Sequence, residues 1–293
     1  MAHAKPEQDP DLYFVPHDSK WPVFASVALF VTMLGLASWF NEHSWGRPMF
    51  FVGIAVLALI LFKWFADVIL ESVSGYYNKQ VDLSFRMGMV WFIFSEIMFF
   101  AAFFGALFYA RTLSLPWLGG EGSGAMTNAV LWDGYSAAWP SSGPGEVGGV
   151  FQTIPAWGLP LLNTLILLSS GITLTIAHHA LKAANRKQVL IWLGLTVALG
   201  CLFLFFQAEE YIHAYKELNL TLGSGIYGST FFMLTGFHGA HVFLGTLMLA
   251  IMWLRVAKGH FTKDNHFAFE AAAWYWHFVD VVWLGLYILV YWL

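Results

Sequence analysis

The 293-residue chain has little charge and almost no cysteine. Only 11% of its residues are Asp, Glu, Lys or Arg, against about a quarter in an ordinary soluble domain, which excludes a water-soluble globular surface over most of its length. The single cysteine, Cys201, excludes an internal disulfide and a thiolate-held metal cluster. There is no basic run of the kind that binds nucleic acid and no GxxxxGK[ST] phosphate loop. The net charge of −4 is uninformative beside the distribution of sign along the chain. What is abundant is apolar: 58% of residues are hydrophobic and 18% aromatic.

The apolar residues fall in seven runs, at about 21–40, 48–65, 87–111, 159–177, 189–208, 226–253 and 268–293. Each is long enough to cross about 30 Å of hydrocarbon at roughly 1.5 Å per residue. The predicted fold is therefore an all-α, polytopic integral membrane protein with seven transmembrane helices, its termini on opposite sides. Lys5, Lys20, Lys63, Lys79, Arg86, Lys182, Arg186, Lys187, Arg255, Lys258 and Lys263 would then lie on one side, and Arg47, Arg111 and Lys216 on the other. That imbalance puts the N-terminus in the cytoplasm. The first run has no small-residue cleavage site after it and reads as retained. Trp21, Trp39, Trp45, Trp64, Trp157, Trp274, Trp276 and Trp292 sit towards span ends, as in an aromatic belt.

Three segments are expected: a cytoplasmic N-terminal stretch at 1–20, a first two-helix bundle at 21–75, and a five-helix bundle at 76–293. A linker at 66–85 would separate the bundles. An outer loop at 112–155, rich in Gly, Ser, Pro and Trp, reads as flexible turns.

Polar residues inside the runs carry the chemistry. Glu96 lies near the centre of the third run, where a lone charge costs roughly 2.5–3.5 kcal/mol on insertion scales. It calls for a polar partner on another helix or for a proton of its own. Structural bonding and proton handling are both open roles for it. His238 and His241, three apart, share one helix face with Thr235, and His277 is three residues from Asp280, near enough to pair. Gln207, Glu209 and Glu210 close the fifth run. Interhelical hydrogen bonding is the expected role of this network, with no metal and no cofactor in the chain. His178 and His179, beside Lys182, are expected to meet headgroups or a partner subunit. Arg86 and Arg255 suit lipid phosphate, with Glu71 nearby as an acceptor, and ordinary snorkelling would place them equally well.

Long motifs then identify a resemblance. HFAFEAAAWYWHFVDVVWLGLYILVYW at 266–292 closely resembles the C-terminal signature of cytochrome c oxidase subunit III. YGSTFFMLTGFHGAHVFLGT at 227–246 and PLLNTLILLSSGITLTIAHHAL at 160–181 resemble the family's sixth and fourth helices. FIFSEIMFFAAFFGALFY, around Glu96, is similar to the third, and QAEEY makes Glu210 the acid matching the family's QAxEY.

The resemblance implies a seven-helix bundle split by a V-shaped, phospholipid-filled cleft between helices one and two and helices three to seven. It implies lipid contacts at Trp64, Glu71, Arg86, His241 and Arg255, and a buried functional carboxyl at Glu96. The intramembrane polar network would be Glu210, His238, His277 and Asp280. No catalytic residue, haem or copper is expected in the chain itself; those belong to partners. The subunit would pack on oxidase subunit I, with subunit II in the same complex and cytochrome c as substrate. It would support proton uptake and protect the oxidase during turnover. KWFADVILES departs from the family's usual WW[RAS]DVIRE-like run, with Phe65 and Leu70 where a tryptophan and an arginine are common, so one basic headgroup contact is missing. Subunit III of a quinol oxidase and a proton-coupled transporter are the competing readings. The acidic N-terminal extension and the long outer loop suggest a bacterial inner membrane, N-terminus cytoplasmic and C-terminus periplasmic.

Overall fold

Hydrocarbon offers backbone amides no water, so a spanning segment must satisfy its own hydrogen bonds as a helix. The structure, a computed structural model, describes residues 13–15 and 19–292. Among the described residues it is all-helical, with no strand. Seven helices are long and apolar enough to span a membrane: α1 (Trp21–Phe40), α2 (Gly46–Ser74), α3 (Lys79–Tyr109), α4 (Leu159–Lys182), α5 (Arg186–Glu217), α6 (Gly225–Lys258) and α7 (Phe267–Leu286). The expected class is what is found. The N-terminal stretch expected at 1–20 lies largely outside the described residues, and so does Lys5.

Helices outrun their apolar windows. α2 continues to Ser74 and α3 starts at Lys79, so the linker expected at 66–85 is only a turn. Lys63, Asp67, Glu71 and Arg86 are long or polar heads that a helix carries on its flank, so a change of composition does not end the backbone pattern. Gly75 ends α2 instead: its φ of 80° is left-handed, and the N–H groups of Gly75 and Tyr76 donate to Ser72 and Glu71 carbonyls. Asn78 then starts α3, its Oδ1 accepting from Val81 N–H at 2.9 Å. Past Tyr109 the third span continues through a π-turn, Ala110–Ser114, to Leu118.

The chain forms two compact units, one ending at Met87 and one starting at Gly88. In the first, α1 and α2 pair closely because small residues face each other. A Cβ added at Gly53 would lie 2.6 Å from Thr32 Oγ1, and one at Gly35 would meet the backbone of Phe50. Most side chains along α2 are exposed, Phe62 among them.

The second unit holds the core. Trp276 of α7 is fully buried between α5 and α6, where Gly200 and Gly245 leave room for its ring. A Cβ at either glycine would lie 2.8 Å from an indole carbon. On its other side Trp276 Nε1–H donates to Ser170 Oγ of α4 at 2.8 Å. Two turns on, Trp283 Nε1–H donates to Thr164 Oγ1 at 2.9 Å, so one stripe of α7 is riveted twice to α4. Thr173 and Thr196 link α4 to α5 at 2.8 Å, and Tyr211 and Thr235 link α5 to α6 at 2.7 Å. Cys201 is exposed on α5.

The outer loop is folded rather than made of loose turns. It contains the short helices Leu115–Leu118 and Ala125–Leu131. Asn219 donates its amide to the carbonyls of Gly148 and Val150, Gln152 N–H donates to Leu218 O, and Phe151 stacks on Tyr227 at 5.4 Å. These contacts fix the loop on the ends of α5 and α6.

Gly200→Leu is expected to lower stability by at least the roughly 1–3 kcal/mol of an overpacked core. Trp276→Phe, which removes the N–H donor, is expected to cost about 0.6–1.7 kcal/mol. Thermal unfolding in mild detergent reads both; wild-type stability in the pair would show that the slot does not hold α7.

Candidate functional site

Glu96 has the partner its position demands. Glu96 Oε2 lies 2.7 Å from His241 Nε2, joining α3 to α6. His241 Nδ1 lies 2.6 Å from Phe237 O, and a carbonyl only accepts, so Nδ1 carries a proton. Nε2 of a neutral ring is then an acceptor, and Glu96 must hold the proton of the bridge. In the other form the ring is imidazolium and the acid ionised. Either way the pair carries one mobile proton and no net charge, which offsets the insertion penalty of a lone carboxylate. Aromatic rings enclose it: Phe100 lies edge-on to His241 at 4.9 Å and Phe99 tilts over it at 5.8 Å.

His238 and His241 share a helix face but serve different neighbours. His238 is fully buried and donates from Nε2 to Val279 O of α7 at 3.2 Å. Trp283 and Phe203 pack against its ring at 5.0 and 5.7 Å. His277 and Asp280 come within 3.6 Å, close enough for an ion pair but beyond a hydrogen bond. Asp280 is buried with Oδ1 unpartnered, and its other oxygen lies over Gly171 of α4. His277 is half-exposed.

Glu210 is nearly fully buried and accepts from Tyr291 O–H at 2.6 Å. Tyr291 was missed in the sequence because a terminal tyrosine looks like any belt aromatic. Gln207 and Asn163 are also buried, with amide groups that have no hydrogen-bond partner in the structure.

The basic residues are more engaged than snorkelling requires. Arg86 Nε donates to Asp82 at 2.7 Å, one turn back on α3. Glu71 accepts from Tyr77 O–H at 2.7 Å, a contact that joins the end of α2 to the turn. Burial first, then the bond to Glu71 and its charge, holds the Tyr77 phenol above its usual range, so it stays a donor. Trp64 is half-buried on α2. Arg255 is buried with Nε unpartnered, its guanidinium 4.4 Å from the Phe261 ring. Beside it, desolvation and then the Arg255 and Lys258 cations push His260 below the usual histidine value.

His179 is exposed. His178 is not turned outward to headgroups: it faces His266 and Glu270 of the last span's entrance. Spacing gave no warning of this, since 178 and 266 are remote in sequence.

Comparison with known proteins places these contacts in a family. The profile of the family described as cytochrome c oxidase subunit III matches residues 11–293. Cytochrome c oxidase subunit 3 of Gadus morhua is 42% identical over 293 residues, covering 100% of this chain and 98% of that protein. The Danio rerio protein gives the same figures, and that of Dugong dugon is 41% identical over 281 residues, 96% of each chain. These relatives are animal proteins, which does not fit the bacterial inner membrane expected from the N-terminal extension and the outer loop. A multi-pass membrane protein with a match of this length and specificity is a component of a multi-subunit oxidoreductase: the chain belongs to the cytochrome c oxidase subunit III family.

Proposed function

We propose that this chain is the non-redox subunit of its oxidase, stabilising the catalytic subunit I, supporting its proton uptake and holding phospholipid. Electrons from cytochrome c, haem and copper would all stay in partner subunits. The observation that carries the reading is the use made of the central histidines. Both ring nitrogens of His241 are taken, by Phe237 O and Glu96. Fully buried His238 gives Nε2 to Val279 O, while its unpartnered Nδ1 is shut in a ring packed by Phe203 and Trp283. An axial haem ligand needs a free ring nitrogen directed at the iron. These imidazoles are directed at protein.

Lipid contact is supported by the unmet capacity of Arg255. Its buried Nε has no partner, and a phosphate oxygen would supply one through a charge-assisted hydrogen bond. In the other unit, Glu71 near the end of α2 and Arg86 near the start of α3 flank a polar turn beside largely exposed apolar helices, with Trp64 half-buried further back on α2. His241 would meet acyl chain or headgroup only through the exposed edge of its pair with Glu96. Glu96–His241, holding one transferable proton, suits a supporting part in proton supply. The bonds of Glu210 to Tyr291 and of His238 to Val279 O keep α5 and α6 in register with the last span, while the expected members His277 and Asp280 make no hydrogen bond to either. The basic imbalance between loops supports an orientation with the N-terminus on the inner side of the membrane and the C-terminus on the outer side.

Mild-detergent purification tests the accessory role: a haem- and copper-containing partner should copurify, and the isolated chain should show no Soret band. A haem spectrum from this polypeptide alone would overturn the reading. Glu96→Ala in the assembled complex is expected to leave haem reduction within roughly twofold of wild type, a barrier change under about 0.5 kcal/mol. Complete loss of reduction in an intact complex would place the residue on the electron path. Arg255→Ala should lower phospholipid per complex, measured by mass spectrometry of the extracted lipid, and shorten the turnover lifetime. Unchanged lipid content would remove Arg255 from the lipid site.

A further inference from the structure

At one end of α4, three ligand-type atoms from two distant parts of the chain converge on one point. His178 Nε2 lies 3.4 Å from Glu270 Oε1, and His266 Nε2 lies 3.1 Å from the same oxygen. One donor atom from each of the three residues lies within 4.8 Å of the others. Neither Nε2 is exposed, and neither makes a hydrogen bond in the structure. His266 sits at the start of α7 and Glu270 one turn along it, so the helix itself presents the two ligands on one face.

The protonation of the cluster is informative. His266 Nδ1 faces Thr262 O at 3.2 Å, and since a carbonyl only accepts, Nδ1 carries the proton. Nε2 of the neutral ring is then a lone pair aimed at a carboxylate oxygen, an acceptor facing an acceptor. His178 Nε2 is directed at the same oxygen. Protons on the two rings could bridge each nitrogen to the oxygen separately, whereas one metal cation takes all three atoms at once. The backbone bond on the far side of His266 is the arrangement that orients a metal-ligating imidazole and fixes its tautomer.

Size fits as well. Bonds of about 2.0–2.2 Å in a tetrahedral site set ligand atoms roughly 3.3–3.5 Å apart. The separation from His178 Nε2 to Glu270 Oε1 falls within that range, and that from His266 Nε2 is slightly shorter. Two imidazoles and one carboxylate, with an open fourth position, suit Zn²⁺ better than the oxygen-seeking Ca²⁺ or Mg²⁺. His178, with about a quarter of its side chain exposed (23%), gives an ion a way in.

We propose that His178, His266 and Glu270 form a binding site for a divalent transition ion of the zinc class, which ties the end of α4 to the start of α7. This departs from the sequence expectation of a chain without metal. The site is redox-silent and independent of the haem and copper of partner subunits.

The test uses the purified oxidase complex containing the full chain, stripped of adventitious metal with chelator and then equilibrated with Zn²⁺. Metal content is measured by mass spectrometry for wild type, Glu270→Gln, His266→Ala and, as a control, His179→Ala. Wild type and the control should hold one more zinc per complex than the two cluster variants. Affinity in the variants should fall by more than the roughly 10–100-fold that loss of an outer-shell partner costs. X-ray absorption at the zinc edge of the wild type should show two imidazole nitrogens at about 2.0 Å. Equal zinc content across all four proteins overturns the proposal. Should the cluster variants fail to assemble, a wild-type absorption spectrum without imidazole ligands overturns it alone.

Discussion

Water is absent from the middle of a bilayer, so each polar side chain placed there must be met by another part of the protein. Trp276 shows how far this governs the second unit. Its N–H needs an acceptor, Ser170 supplies one, and the ring then fits only because two other helices carry glycine opposite it. The same requirement sets Trp283 on Thr164, Tyr291 on Glu210 and His238 on Val279 O. Apolar contact between helices gains little over contact with lipid, so these polar bonds and close backbone approaches choose which faces meet.

Glu96 and His241 are a special case of that constraint. The pair is stable in hydrocarbon because a single proton neutralises both groups, wherever it resides. Such a pair can exchange its proton's position without changing net charge, which a lone buried acid cannot do. The bonds elsewhere in the unit, by contrast, have hydroxyl and indole donors that stay put. A pair that shares one proton and the bonds that hold the packing are thus separated by residue type within one bundle.

Much of the fold was legible because membrane spans announce themselves through long apolar runs, and Glu96 because a single charge interrupts one. Helix ends were less so. Asp67 and Glu71 look like the beginning of a linker, yet a helix carries them on its flank until Gly75 ends it. Partners were the least legible. The spacing of His238 and His241 shows a shared face but not that one turns to α7 and the other to α3. His178 and His266 are far apart in sequence, and only the meeting of α4 with the start of α7 brings them together. Asp280 fell between these cases: the pairing with His277 was readable from spacing, while its burial against Gly171 depends on which face of α4 arrives there.

The hydroxyls that receive the two tryptophans are also bonded within their own helix. Ser170 Oγ donates to Leu167 O at 2.6 Å, and Thr164 Oγ1 donates to Pro160 O at 2.8 Å. α7 follows α4, α5 and α6 in the chain, so during synthesis those three enter the bilayer before either tryptophan exists. Through that interval the hydroxyl protons are already satisfied, and only acceptor capacity waits. These two hydroxyls can therefore wait in lipid without a stranded proton, and α7 joins them by adding bonds rather than exchanging them.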